Sequence, residues 1–418
     1  MKSVENSATA VANPPRAARP PQRRTDEAPA SQSKVNVVLG KLVDFFASLR
    51  LTLALLGLGM ILVFTGTLAQ VDMGLFKAQN EFFRSYFVFW GPKAASWKIP
   101  VLPGGYLVGG FLLLNLIAAH VTRFHFTRKK AGIWLTHVGL ILLLFGQLLT
   151  DKLAHESLLH LREGEAKNYS EIEREAELAI IDTSDAGTDK VVAIPQRLLA
   201  NQKDIEHSDL PFKVRVKEFY ANSRVQNREA EALAPPAASR GIGAVATVTE
   251  LAHVTSMDYR DVPSAVIELI TPEGSIGTWL VSEHYEHAQK VPWQNRNYEL
   301  WLRPKRLYKP YSLELQKFRN DLYAGTDIPK NYSSRVVLHR PETGEKREVL
   351  IYMNNPLRYS GETYYQSGFD PDNHGTILQV VRNPSWLTPY LSCIMVGAGL
   401  IVQFMTHLIG FVTKRRAA

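Results

Sequence analysis

The sequence predicts an α+β membrane protein: four transmembrane helices, with a large extracytoplasmic, mainly-β domain inserted between helices three and four. Three observations predict it. Long apolar runs without charge occur three times in the first 150 residues and once more near the end, each near the roughly 20 residues a bilayer requires. The stretch between the third and fourth runs is rich in short β-branched segments split by Gly, Pro and Asp. Lys and Arg gather at alternate ends of the runs, as membrane topology demands.

Taken in order, residues 1–42 open the chain as a basic N-terminal arm. Its first 35 residues, with "NPPRAARPPQRR", carry too little apolar surface to fold and read as disordered. They do not read as a secretory signal, because the first apolar run begins too far in. Residues 43–150 hold spans one to three: Leu51–Ala69, about Gly105–Thr122, and Ala131–Thr150. Between the first two lies a 70–104 loop in which Phe76, Phe83, Phe87 and Trp90 recur at helical spacing. That predicts a short amphipathic helix on the outer membrane surface, serving either as an interfacial aromatic belt or as an aromatic surface that handles haem or peptide. Residues 151–385 form the β-rich domain. "ITPEGSIGTW" and "SRVVLHRPETGEKREVLIYM" read as hairpins, and "YSLELQKF" alternates like a half-buried strand. A charged stretch with a Pro-Pro step, "VQNREAEALAPPAASRG", reads as an exposed loop over 225–241. Residues 386–418 supply span four and a basic tail.

Orientation follows from the basic residues. Arg23, Arg24, Lys34, Lys41 and Arg50 precede span one, Arg123, Arg128, Lys129 and Lys130 link spans two and three, and Lys414, Arg415 and Arg416 follow span four. With four spans all three clusters share one side, the cytoplasm, and both termini lie there. A multi-pass membrane protein is expected. The mean hydropathy of -0.11 hides this segregation. The net charge of +8 belongs with topology rather than with nucleic acid. Cys393 is the one cysteine, which excludes an intramolecular disulfide and a cysteine zinc site.

No catalytic signature is present: no phosphate-binding glycine loop, no His-Glu-x-x-His, no Gly-x-Ser-x-Gly. His284 and His287 sit three apart, on opposite faces of any strand, and His155 and His160 read as surface residues. Histidines in spans are different, since an ionisable group there is costly and usually has a task. His137 lies six residues into span three, roughly 9 Å deep. His407 lies six residues before the basic tail, at a matching depth, and His120 near the same end of span two. Neutral imidazole is a good axial ligand for haem iron. The alternative is an imidazole bonded to a neighbouring helix or lying among headgroups.

Five blocks carry a family resemblance: "FFASLRLTLALLGLGMILVFTGTLAQ", "WLTHVGLILLLFGQLL", "YSLELQKFRNDLYAGTDIPKNYSSRVVL", "IYMNNPLRYSGETYYQSGFD" and "LQVVRNPSWLTPY". Their order and the four-span layout resemble the ResB/CcsB family of System II cytochrome c biogenesis, over nearly the whole chain from about residue 43. The resemblance implies a membrane subunit of a cytochrome c synthetase in a bacterial inner membrane. It implies work with a ResC/CcsA-type partner, export of haem, and its presentation to apocytochrome c. It matches His137 to the family's span histidine; His120 is carried as a second cofactor-binding candidate. No catalytic residue and no metal site are expected in this chain, and no enzyme activity of its own. The expected contacts are partner, apocytochrome c, haem and membrane lipid, without nucleic acid. The rival reading is a membrane-anchored extracytoplasmic binding or sensor module without haem transfer. In the β-domain, "GETYYQSGFD" is expected at a domain edge close to the outer bilayer surface, or simply as a strand whose Tyr364 and Tyr365 face opposite ways.

Overall fold

The computed structural model describes residues 30–92, 97–123, 127, 130–185, 187–228, 235–256 and 259–417. The disorder expected before residue 30, Arg23, Arg24, Arg128 and Lys129 therefore lie outside the described residues. Seven helices lie among these residues: α1 (Ala30–Phe46), α2 (Leu49–Met73), α3 (Leu75–Ala78), α4 (Gly105–Arg123), α5 (Ala131–Leu153), α6 (Gln196–Ala200) and α7 (Thr388–Ala417). Of them α2, α4, α5 and α7 are long and apolar enough to cross a membrane. Helix α1 covers the last residues, from Ala30, of what the sequence suggests is an unfolded arm. It ends beside α4, with the Phe46 and Phe111 rings 5.9 Å apart.

Lipid tails are as apolar as leucine, so helices in a bilayer associate through close packing and polar contacts. Both devices are present. On α5, Gly132, Gly139 and Gly146 are buried seven residues apart. A Cβ at Gly132 would lie 2.6 Å from the Gln403 nitrogen, and one at Gly139 would lie 2.8 Å from a Val396 methyl. A Cβ at Gly399, on the facing surface of α7, would lie 2.7 Å from the Thr136 nitrogen. The two backbones approach as closely as glycine permits. Between α2 and α4 the device is polar: buried Asn115 donates to the carbonyls of Phe46 and Ser48 and accepts from the Thr52 hydroxyl at 2.7 Å.

The outer loop departs from expectation. Only α3 and a π-turn over Gln79–Phe83 are helical, and the chain then forms β1 (Phe87–Trp90) paired with β2 (Ile99–Pro103). Phe76 and Phe83 thus sit on helical turns, while Phe87 and Trp90 lie on a ribbon. Gly104 and Gly105, with carbonyls of Ser85 and Phe83 where their Cβ atoms would go, let the ribbon fold tightly onto the start of α4. Aromatic spacing alone could not report this pairing, because the run "FVFW" suits a strand equally well.

The domain between α5 and α7 is mostly β. Its early strands are β3 (His155–Arg162), β4 (Ala166–Asp182), β5 (Lys190–Pro195), β6 (Asp204–Ile205), β7 (Lys213–Tyr220), β8 (Ser223–Asn227) and β9 (Ala246–Glu250). Then come β10 (Ser264–Thr271), β11 (Gly274–Ser282), β12 (Gln289–Trp293), β13 (Arg296–Leu322) and β14 (Pro329–Arg340). The last are β15 (Glu345–Tyr352), β16 (Leu357–Tyr359), β17 (Glu362–Phe369) and β18 (Gly375–Arg382). A ten-stranded sheet runs β15-β14-β13-β4-β3-β18-β17-β16, with β12 beside β13 and β5 beside β4. A second sheet, β11-β10-β7-β6, covers one part of it. The predicted hairpins are β10–β11 and β14–β15. The 225–241 stretch is more ordered than expected: Val225–Asn227 pairs within β8–β9 and Ala238 is buried, while 229–234 lie outside the described residues.

Long β4 and β13 serve two cores. Tyr298, Leu300 and Leu302 of β13 enter one core with β5, β7, β10 and β11. Tyr311, Leu313, Leu315 and Phe318 enter the other with β3, β14, β17 and β18. Register breaks at Pro304/Lys305 and Tyr308/Leu313 turn the ladder between them. Arg303, buried at the first break, donates twice to Glu177. Near the second break, buried Lys309 donates to Glu362 at 2.7 Å, and the hydroxyls of Tyr311 and Tyr364 donate to the same carboxylate at 2.6 and 2.9 Å. Burial pushes the Glu362 carboxyl up, but the bonds from Lys309, Tyr311 and Tyr364 outweigh it and hold it below the ordinary carboxylate value.

Glu362→Gln strips the buried ammonium of Lys309 of its counter-charge and is expected to cost about 3–5 kcal/mol. Near-UV circular dichroism of the full chain during denaturant unfolding measures this. Because the folded-state pKa is lowered, the Glu362 contribution is present above its unfolded value of 4.5 and lost as pH falls through the folded value. The wild type should therefore lose more stability on acidification than Glu362→Gln; equal losses in both contradict the assignment. In the bundle, Gly399→Leu is expected to destabilise by about 1–3 kcal/mol or more, the usual cost of overpacking. Gly57→Leu, whose Cβ meets nothing within 4 Å, is expected to leave thermal stability in detergent unchanged.

Candidate functional site

Helix α5 has a second face, turned toward α4. Its lower end carries His137, and there the His120 ring of α4 stands 6.4 Å from the His137 ring, with the planes 30° apart. The Trp134 ring lies 5.3 Å from His120. The structure therefore brings the two predicted histidines together on adjacent helices near the basic end of the bundle. His137 Nδ1 lies 2.7 Å from the Ile133 carbonyl one turn back. A carbonyl oxygen only accepts, so Nδ1 carries the hydrogen and a neutral ring presents Nε2 as its lone-pair nitrogen. That fixes both tautomer and ring direction, the condition a metal-ligating imidazole needs. The two rings are stacked rather than opposed, so they do not bracket a common metal position as they stand.

His407 is placed elsewhere. Gly139 meets Val396, so His137 is level with about Ala398, and His407 lies nine residues further along α7. At 1.5 Å per residue the offset is roughly 13 Å. It bonds to Gln403 one turn away. The matching depth expected from sequence fails because α7 is longer than α5 and overshoots it, so counting back from the tail misplaced the ring.

Toward the β-domain end, the α4–α5 seam holds a group that the sequence reading missed. Asp151, mostly buried, accepts from the Tyr106 hydroxyl and pairs with Arg84 at 3.1 Å and Lys152 at 3.6 Å. Lys152 also donates to the Tyr106 hydroxyl at 2.9 Å. One charged pair, Asp151-Lys152, sat in plain view at the end of span three; nothing local announced its partners on the outer loop and on α4. Beneath this group the seam widens into a cavity of about 660 Å³.

In the β-domain, His284 Nε2 donates to the Ser223 carbonyl at 2.9 Å. His160 bonds to Asp370 at 2.8 Å. Among the described residues no cluster of three or more His, Cys, Asp or Glu is arranged to hold a metal ion. Outer loop and domain touch where the Arg174 guanidinium lies 4.2 Å over the Phe76 ring. Buried Glu283 near this contact pairs with Arg260, and burial pushes its carboxyl up despite that pairing. The "GETYYQSGFD" stretch is a strand whose two tyrosines face opposite ways, as expected. Tyr364 is buried and Tyr365 exposed. The turn from Tyr359 to Thr363 shares a cleft with Trp386 and Tyr390 at the start of α7, and Arg358 lies 4.6 Å over the Trp386 ring.

Comparison with known proteins adds two findings. The ResB-like family profile matches residues 274–377, from β11 into β18. Protein NrfI of Wolinella succinogenes is 26% identical over 300 residues, which cover 70% of this chain and 29% of NrfI. The chain thus spans less than a third of that relative's length.

Proposed function

We propose that this chain, a ResB-family membrane protein, is the non-catalytic membrane subunit of a System II type cytochrome c synthetase. In this reading it works with a ResC/CcsA-type partner to carry haem outward and present it to apocytochrome c. The observation that carries the reading is His137: an imidazole inside an apolar span, its tautomer set by the Ile133 carbonyl, with a second histidine ring beside it. Such a residue is costly in a membrane, and a passive anchor has no use for it. An anchored sensor module would be served by spans without histidine.

The basic clusters support an orientation with the termini and the histidines toward the cytoplasm, and the β-domain outside the inner membrane. Haem would then be received at His137, through Nε2 as axial ligand, with His120 packing against it as the second cofactor-binding residue. The stacked rings favour one ligand from this chain and the other from the partner. Iron held in this way is what haem supplies; the chain contributes an oriented imidazole, an apolar wall that excludes water, and the outer domain. Thioether formation draws its cysteines from the apocytochrome and its vinyl groups from haem, so no catalytic group is required here. The β-domain is suited to hold apocytochrome c or the partner above the bundle, because its turn at Ser360–Gly361 shares a cleft with the start of α7 and its first strand follows α5 directly.

The test is absorbance of haem in the full chain co-purified with its partner, together with maturation of a c-type cytochrome in the same cells. His137→Gly is expected to weaken haem retention by about 10-fold or more, at least the effect of losing a supporting group around a metal ligand. Added imidazole should restore it. Unchanged haem absorbance and unchanged maturation in His137→Gly would overturn the ligand assignment, and intact cytochromes c without this chain would overturn the function.

A further inference from the structure

The cavity at the β-domain end of the α4–α5 seam is built like a slot. One wall is α4, where Gly109 and Gly110 present bare backbone; a Cβ at either would meet nothing within 4 Å. Leu113 continues that wall, and Leu144 and Leu148 of α5 form the other. The volume of about 660 Å³ lies in the range of small-molecule sites. Its mouth carries two cations and one anion, Arg84 and Lys152 against Asp151. Both cationic side chains are about half exposed, at 52% and 55%, whereas the Asp151 side chain is 14% exposed. Donors of Arg84 and Lys152 can therefore turn to an incoming carboxylate while Asp151 keeps the Tyr106 hydroxyl.

The slot lies two turns from the histidine site along the same two helices. Leu113 and Leu144 lie seven residues from His120 and His137, two turns along the same helix faces and roughly 10 Å. Apolar walls and a cationic mouth favour a rigid planar ring with carboxylates at one edge. A rigid ring also gives up less conformational freedom than acyl chains on entering a fixed slot.

We propose that this slot is a second haem site within the chain, which grips the macrocycle by its ring and its carboxylates and not by its iron. The proposal rests on the reading of the chain as a haem carrier, and it adds a station on the outward side of the histidines. Haem leaving His137 would move about two turns along the α4–α5 seam and come to rest with its carboxylates at Arg84 and Lys152, below the β-domain.

Metal-free protoporphyrin separates the two sites, because it has no iron to ligate. Its fluorescence is titrated on the full chain in phosphatidylcholine nanodiscs. Saturable binding is expected. Gly110→Leu, which fills the slot and suits a helix, should weaken it roughly 10-fold or more, the scale on which a pocket rejects a misfit of a few methylenes. The pair Arg84→Gln with Lys152→Gln should weaken it several-fold and reduce its salt dependence. His137→Gly should leave it unchanged. Porphyrin affinity indifferent to both the Gly110 and the Arg84/Lys152 variants overturns the slot and leaves iron ligation at His137 standing. Loss of porphyrin binding in His137→Gly also overturns it, since one site would then serve both. Phospholipid that co-purifies with the wild type, is lost from Gly110→Leu, and leaves porphyrin affinity unmoved makes the slot a lipid seat and overturns it too. Conversely, His137→Gly that keeps the ligated haem spectrum sinks the ligation reading while the slot survives.

Discussion

The close approach of α5 and α7 is the constraint from which the rest of the molecule follows. Gly132, Gly139 and Gly146 on one helix, with Gly399 on the other, let the two backbones touch. A domain inserted between two such helices must leave and re-enter the bundle at neighbouring points. Its first and last strands therefore start side by side, and they pair along their whole length, from His155↔Arg382 to Gly375↔Arg162. A polar clasp closes the junction: Thr150 and Ser385 hydroxyls lie 2.8 Å apart, and Asn383 donates to the Thr150 oxygen. The sheet core around Leu159, Leu161, Leu378 and Val380 grows from this root. A second core is reached only because β4 and β13 run past the first.

Those long strands require a bend, and the bend explains the buried charges. Where the β4–β13 ladder shifts register, backbone pairing lapses and side chains fill in. Arg303 with Glu177 occupies one break, and Lys309 with Glu362 the other. Buried ion pairs are weak evidence for stability but costly to break singly. Their placement at the two breaks fits a role in fixing how the strand turns, and both carboxylates accept more than one hydrogen bond.

The apolar runs and the strand alternation were legible in the sequence because each is local. "YSLELQKF" shows this well: Tyr311, Leu313 and Leu315 are buried, as its alternation says, while Phe318 is buried only because the register shifts after Leu315. The span histidines were legible for the same reason, as polar exceptions in an apolar run. Their meeting was not, because it depends on how α4 and α5 rotate about their axes. Nor was the Asp151 group, whose partners Arg84 and Tyr106 come from a loop and another helix. Asn115 could have been found: an amide within "LLLNLIAAH" must be satisfied by another segment. Depth along α7 failed because it was counted from the basic tail, and only contact with α5 sets it.

Helix α5 divides its labour by face. The glycine face locks to α7 and holds the root of the β-domain. On the other face, His137, Leu144, Leu148 and Asp151 line a looser seam with α4. Helix α4 is tied instead to α2, through Asn115 and Thr52, and to the outer ribbon through Gly104 and Gly105. The bundle thus has two halves, α2 with α4 and α5 with α7, joined along one seam that carries the two histidines and the Asp151 group. A seam between two separately braced halves can widen without disturbing either brace. The β-domain is rooted on one half, and at the Arg174–Phe76 contact the other half reaches it.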